Sequence, residues 1–186
     1  MKRISYLLFI LLLAATGCGT KANVEGSSES EPPPIKVIEQ QNNMQTEMPN
    51  DFNFIVRYGY GEAQKNEINT YEHTVTKDLI VKGTATANIT FTPEELKSIY
   101  EKMREINIMG TKVLAPSTSN CGVIPYNEDS WEIRLNGETK SFTWSEKHCE
   151  LTNDAKQLLE LRTYIQHLVE DKEEYKKLPE AEGGYD

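Results

Sequence analysis

The sequence predicts an α+β fold, in which a largely antiparallel sheet of about six strands carries two helices packed on one face. Three observations lead to this prediction: apolar and polar residues alternate in several short runs, Asn136-Gly137 is a hairpin signal, and two segments have helical periodicity. The order along the chain is four strands, a helix, a long loop, a hairpin and a second helix.

The first predicted strand has large apolar side chains at every second position, namely Phe52, Phe54, Val56 and Tyr58. This period of two is typical of a half-buried strand, and Gly59 and Gly61 are expected to break it. Three shorter runs rich in Val, Ile, Thr and Tyr follow at 67–72, 74–81 and 86–91.

Two helices are predicted from capping residues and apolar spacing. Thr92, Pro93 and Glu95 form a capping box with proline in the first helical position. The expected buried face of this helix consists of Leu96, Ile99, Tyr100, Met103 and Ile106. The last helix is expected from about residue 152 to 175, with a buried stripe of Leu158, Leu161, Ile165 and Leu168.

Residues 107–130 have no sustained period and are predicted to form an irregular loop. A hairpin follows, because alternating apolar residues flank Asn136-Gly137, the preferred pair for a type I′ turn. In this register Trp131 lies opposite Phe142.

The N-terminal segment resembles a bacterial lipoprotein signal. Lys2 and Arg3 precede an apolar stretch at 6–15, which is about half the length of a membrane-spanning helix. Small residues then lead into Cys18, so we expect cleavage before Cys18 and diacylation of its thiol. The alternative is an ordinary secretory signal with an incidental cysteine.

Three regions are therefore expected: a signal peptide at 1–17, the lipidated cysteine with a disordered tether at 18–50, and a single extracytoplasmic domain at 51–186. The tether is predicted because its composition is poor in large apolar residues and includes Pro32-Pro33-Pro34. No later segment approaches 18 consecutive apolar residues, so the anchor would be lipid alone. The expected location is the outer side of the cell membrane.

Charge argues against nucleic acid as a partner. Removal of Lys2 and Arg3 from the 20 basic residues, against 29 acidic ones, leaves a net charge of −11. Such a surface repels phosphate backbones and anionic lipid headgroups.

Cys121 and Cys149 remain once Cys18 is assigned to lipid, and outside the cytoplasm such a pair most simply forms a disulfide. The alternatives are two free thiols, or a metal site with His148 and His73, although the close ligand pairs typical of zinc sites are missing from the sequence.

Few residues suggest a functional site. Tyr58 and Tyr60, separated by glycine, could form a flat platform for a glycan or an extended peptide; alternatively, one of them belongs to the core. The acidic run 127–129 supplies too few oxygens for calcium. The histidines are scattered outside any catalytic motif, so no catalytic residue, metal ligand or cofactor is predicted.

Several scattered segments carry a resemblance: 51–60, 76–78, 104–107, 174–179 and 183–185. With these segments the chain resembles a group of small lipoproteins from Gram-positive bacteria. The resemblance implies membrane anchoring and a single domain, and it implies no activity and no functional site.

Together these features predict a non-enzymatic, lipid-anchored module that binds an envelope protein or a cell-wall component. Two alternatives remain open: an envelope enzyme acting on glycan or peptide, and an inhibitor or immunity lipoprotein directed against a secreted toxin or hydrolase.

Overall fold

The computed structural model describes residues 42–118 and 120–185. The expected signal peptide, Cys18 and residues 19–41 of the expected tether lie outside this part. The described elements are β1 (Asn53–Tyr60), β2 (Asn66–Asn69), β3 (Thr74–Asp78), β4 (Thr84–Asn88), α1 (Pro93–Glu105), β5 (Asn127–Leu135), β6 (Glu138–Ser145), α2 (Asn153–Glu170) and α3 (Glu173–Lys176), with a 3₁₀ turn at Gly61–Ala63.

The six strands form one antiparallel sheet in the order β4-β3-β2-β1-β5-β6. The predicted α+β class is confirmed. The hairpin register is also as predicted, because Trp131 lies opposite Phe142 and the rings stack with centroids 6.5 Å apart. Asn136 and Gly137 both have positive φ, as a type I′ turn requires.

One face of the sheet is buried under the helices. The alternation along β1 places Phe54, Val56 and Tyr58 in the core, and Phe52 directly before the strand is buried with them. The neighbouring strands add Ile68, Val75, Trp131 and Ile133. The helical side chains buried against them are Ile99, Tyr100 and Met103 of α1 and Ala155, Leu158, Leu161, Ile165 and Val169 of α2. Leu168, predicted in the stripe, is half-buried, and Val169, one full turn beyond Ile165, is buried instead.

The capping box of α1 is present. Thr92 Oγ1 accepts a hydrogen bond from Glu95 N at 3.2 Å, and Thr92 N donates to Glu95 Oε2 at 2.7 Å. Lys172 Nζ donates to both carboxylate oxygens of Glu95, at 2.7 and 2.6 Å, so the start of α1 is tied to the end of α2.

Several element boundaries differ from the predicted ones. β1 continues through Gly59, whose φ is +141°, and ends before Gly61. β3 ends at Asp78 because Ile80 has a left-handed φ of +61°, which breaks the strand geometry. α2 ends at Glu170 rather than near residue 175, since Lys172 is extended and begins the separate turn α3.

The folded part begins before the predicted boundary at residue 51. Met44 is buried in the core, Asn42 Nδ2 donates to Arg104 O at 2.7 Å, and Tyr100 Oη donates to Gln45 O at 2.8 Å. Composition alone predicted disorder over this stretch, because Met44 and Met48 are the only large apolar side chains between residues 42 and 50.

Within the described ranges, no helix is both long enough and apolar enough to cross a membrane.

We predict that Val56→Ala lowers the free energy of unfolding by about 2 kcal/mol, because a fully buried side chain of the central strand is truncated. Val113→Ala is the matched control, since the Val113 side chain is 62% exposed, and it should change stability by less than about 0.5 kcal/mol. Urea denaturation measures both. Equal losses for the two variants would contradict the described core.

Candidate binding site

Cys121 and Cys149 lie at the end of the β5–β6 hairpin opposite its turn. The ladder continues irregularly past both strands, because Gly122 pairs with His148 and Val123 N donates to Lys147 O at 2.8 Å. The Cα atoms of the two cysteines are 5.6 Å apart and their sulfur atoms are at bonding distance, as in a disulfide. The structure therefore agrees with the predicted pairing of the two cysteines.

A cation site at 127–129 is not compatible with the strand that these residues form. They begin β5 instead of lying in a loop, so neighbouring side chains point to opposite faces. Asp129 enters the core, whereas Glu128 accepts a hydrogen bond from Gln64 Nε2 at 2.6 Å. Elsewhere in residues 42–118 and 120–185, no group of three or more His, Cys, Asp or Glu side chains could hold a metal ion.

Asp129 is instead part of a buried ion pair. Its side chain is 1% exposed, and its Oδ2 accepts a hydrogen bond from Arg162 Nε of α2 at 3.1 Å. The guanidinium of Arg162 also lies 5.2 Å from the centroid of the Tyr58 ring. A cation over an aromatic face is favourable, especially when it is shielded from water.

A line of polar groups extends from this pair along α2. Arg162 Nη1 donates to Gln166 Oε1 at 3.2 Å, and Gln166 Nε2 donates to Glu170 Oε1 at 2.8 Å. The sequence did not reveal this network, although residues 162, 166 and 170 have the four-residue spacing of neighbours on one helix face.

Burial raises the pKa of Asp129 to about 6, an effect that the Arg162 charge partly opposes. Burial likewise raises the pKa of the Tyr58 hydroxyl. Both side chains lie inside the core and expose little surface to which a ligand could bind.

Tyr60 lies in a different environment from Tyr58. Its ring stacks on Tyr185 with centroids 4.4 Å apart and an interplanar angle of 8°. Tyr185 Oη donates a hydrogen bond to Asp78 Oδ2, and Lys65 Nζ lies 5.2 Å from the centroid of the Tyr185 ring. The structure therefore does not bring Tyr58 and Tyr60 together as one platform.

The second cluster is called the tyrosine slot here and consists of Tyr60, Lys65 and Asp78. Lys65 Nζ is 4.0 Å from Asp78 Oδ1, and Ile80 N donates to the same oxygen at 2.8 Å. A hydrogen bond with Tyr185 raises the pKa of Lys65, and the Asp78 carboxylate adds to this effect. The slot thus offers an aromatic face, a cation and an acceptor to one phenol ring.

Sequence reasoning identified Tyr60 but missed its partners. Asp78 and Tyr185 are 107 residues apart, so neither spacing nor periodicity relates them. The only available signal was an aromatic residue directly after two glycines at 183–185.

Two further lysines form a polar cluster at the end of α1. Lys140 Nζ donates to Ile108 O at 3.0 Å and to Gly110 O, while Lys112 Nζ donates to Ile106 O and to Asp154 Oδ1 at 3.3 Å. Burial lowers the pKa of Lys140, and the Lys112 charge lowers it further. Because the two ammonium groups bind these carbonyls, they hold the chain that leaves α1 in place.

Comparison of the chain with protein-family models, with curated proteins and with solved structures gave no match.

We predict that reduction of the Cys121–Cys149 bond, in a Cys18→Ser background, lowers the free energy of unfolding by about 3–4 kcal/mol, because the bond closes a long loop in the unfolded chain. Reduction should also slow migration on a denaturing gel. Two thiols that react freely with an alkylating agent in the native, unreduced protein would contradict the pairing.

A second prediction concerns pH. Because the pKa of folded Asp129 is about 6, against an ordinary 3.8, its stabilising contribution is complete below about pH 4 and is lost as the pH rises through 6. Relative to Asp129→Asn, the wild type should lose up to about 3 kcal/mol of unfolding free energy over this interval. Carbon NMR of the Asp129 carboxyl gives the direct readout. A midpoint at or below 3.8 would refute the assignment.

Proposed function

We propose that this chain is a lipid-anchored binding module of the cell envelope, held at the outer side of the cell membrane by acylated Cys18. The observation that carries the proposal is the N-terminal sequence, in which two basic residues, a short apolar stretch and small residues lead into this cysteine. Two acyl chains hold a protein at a membrane without a spanning helix.

The partner is proposed to be an envelope protein or a cell-wall component. The acidic composition argues against nucleic acid, since the chain has 29 acidic and 20 basic residues.

The open face of the sheet supports a binding role for the domain. One row of side chains crosses the whole sheet opposite the core, and by register it contains Thr86, Thr76, Glu67, Arg57, Ser130 and Thr143. Its members bond in pairs: the Thr76 and Thr86 hydroxyls are 2.8 Å apart, and those of Ser130 and Thr143 are 2.9 Å apart. An antiparallel sheet with one solvated face displays a broad polar surface of this kind.

The buried ionisable pair also fits a structural role better than a catalytic one. A general acid must lie within hydrogen-bond reach of its substrate. Asp129 is enclosed by the core and bound to Arg162, so it cannot contact a substrate in this arrangement.

We predict that Cys18→Ser moves the protein from the membrane fraction to the soluble fraction and abolishes labelling with a radioactive fatty acid, because the acceptor thiol is lost. Cys149→Ser is the control, since it also removes one cysteine but should remain membrane-bound and labelled. Membrane association of Cys18→Ser equal to that of wild type would contradict the proposed anchor.

The binding role has a separate test. Cross-linking in intact cells, followed by mass spectrometry, should recover one reproducible envelope component that the Cys18→Ser variant does not recover. Recovery of the same components by both variants would count against a role at the membrane surface.

A further inference from the structure

The segment after α3 returns to the sheet and is called the return segment here (residues 179–185). It runs beside the chain that leaves β3, where Ile80 and Glu182 form a parallel bridge. Val81 N donates to Glu182 O, and Glu182 N donates to Leu79 O, both at 3.3 Å. The segment therefore pairs with residues 79–81 at a single parallel bridge, and main-chain hydrogen bonds of this kind are a common means of peptide recognition.

The return segment places one side chain in the tyrosine slot. Tyr185 stacks on the Tyr60 ring, the Lys65 ammonium lies 5.2 Å from the centroid of the Tyr185 ring, and the Tyr185 hydroxyl donates to the Asp78 carboxylate. The slot therefore contacts one face of the phenol ring by stacking and its hydroxyl by an acceptor, with a cation close to the ring. It is a site shaped for a tyrosine side chain.

The backbone contacts add a second requirement. Gly183 has φ +94°, and a Cβ atom there would lie 3.1 Å from Val81 Cγ1. At Gly184 a Cβ atom would meet nothing within 4 Å. A peptide in this position therefore favours glycine two residues before the tyrosine and has open space at the Cβ position between them, which defines the pattern Gly-x-Tyr.

The return segment is held by contacts that water weakens. Its backbone hydrogen bonds, both 3.3 Å long, are slightly longer than usual. In its ion pairs, Lys77–Glu180 and Lys82–Glu182, the carboxylates are 90% and 60% exposed, and pairs with exposed partners contribute little. Residues 179–184 are exposed and only Tyr185 is half-buried, so the segment can leave without opening the core.

We propose that the tyrosine slot and the 79–82 backbone form a binding site for a Gly-x-Tyr segment of a partner protein, and that the return segment occupies this site until the partner displaces it. The inference rests on the proposed function, because it names the ligand class of a binding module. The occupant seen in the structure has the chemistry of the proposed ligand, a peptide with glycine two residues before a tyrosine.

The test uses a fluorescently labelled octapeptide with the sequence of residues 179–186 and variants of the full-length chain. Tyr185→Ala empties the slot, and Gly183→Ala forces the return segment away from Val81. Both should bind the octapeptide at least about tenfold more tightly than wild type, because the competing segment has a high effective concentration. Gly184→Ala is the matched control and should bind like wild type, since its added methyl group meets open space.

The slot itself is tested by adding Tyr60→Ala to Tyr185→Ala, which should return binding to the wild-type level. Thermal melts establish that each variant is folded. Folded Tyr185→Ala and Gly183→Ala proteins that bind no more tightly than wild type would overturn the proposal, as would binding that survives Tyr60→Ala. The cross-linking experiment in cells does not depend on the octapeptide. If the octapeptide result overturned the slot proposal but cross-linking still captured an envelope component, the proposed binding function would stand and its site would lie on another surface.

Discussion

Strand β1 lies between β2 and β5, and every second side chain along it is buried against α1 and α2. Phe54 is fully buried, and its ring centroid lies 6.3 Å from that of Phe91 and 6.5 Å from that of Trp131, so β1, β5 and the segment before α1 meet at one residue. Because side chains alternate strictly along a strand, this burial fixes which face of all six strands the helices cover. The opposite face of the sheet is then polar and exposed to solvent. One face of the sheet therefore forms the core with the helices, and the other is accessible to a partner.

The end of β1 departs from this apolar pattern and carries most of the chemistry. Tyr58 still faces the core but meets Arg162 instead of another apolar side chain, whereas Tyr60 lies outside the core and meets the return segment. Removing one partner from a buried ion pair leaves an uncompensated charge, so Asp129 and Arg162 constrain how α2 sits on the sheet. The neighbouring tyrosine slot, by contrast, is occupied by the return segment, most of whose residues are exposed. The C-terminal end of β1 therefore contacts both the buried polar network around Arg162, through Tyr58, and the exposed return segment, through Tyr60.

The features that could be predicted from the sequence are those that depend on residues close together in the chain. The capping box at Thr92, the hairpin at Asn136-Gly137 and the alternation along β1 each follow from local geometry, so the fold class and the hairpin register could be derived. Asp129 was misplaced in a loop because β5 begins four residues earlier than its apolar alternation. The slot was missed because Tyr185, the residue that occupies it, is 107 residues from Asp78 in the chain. Tertiary contacts of this kind leave no periodic trace in one sequence.

The central claim is that the return segment and the core are separate in stability, and native-state hydrogen exchange measures this most directly. The amides of Val56 and Trp131 should exchange only with global unfolding, since they belong to the paired central strands. The amides of Val81 and Glu182, which carry the two return-segment hydrogen bonds, should exchange through a local opening of much lower free energy. Protection of Val81 and Glu182 equal to that of Val56 would show that the segment is an inseparable part of the core and would contradict the account.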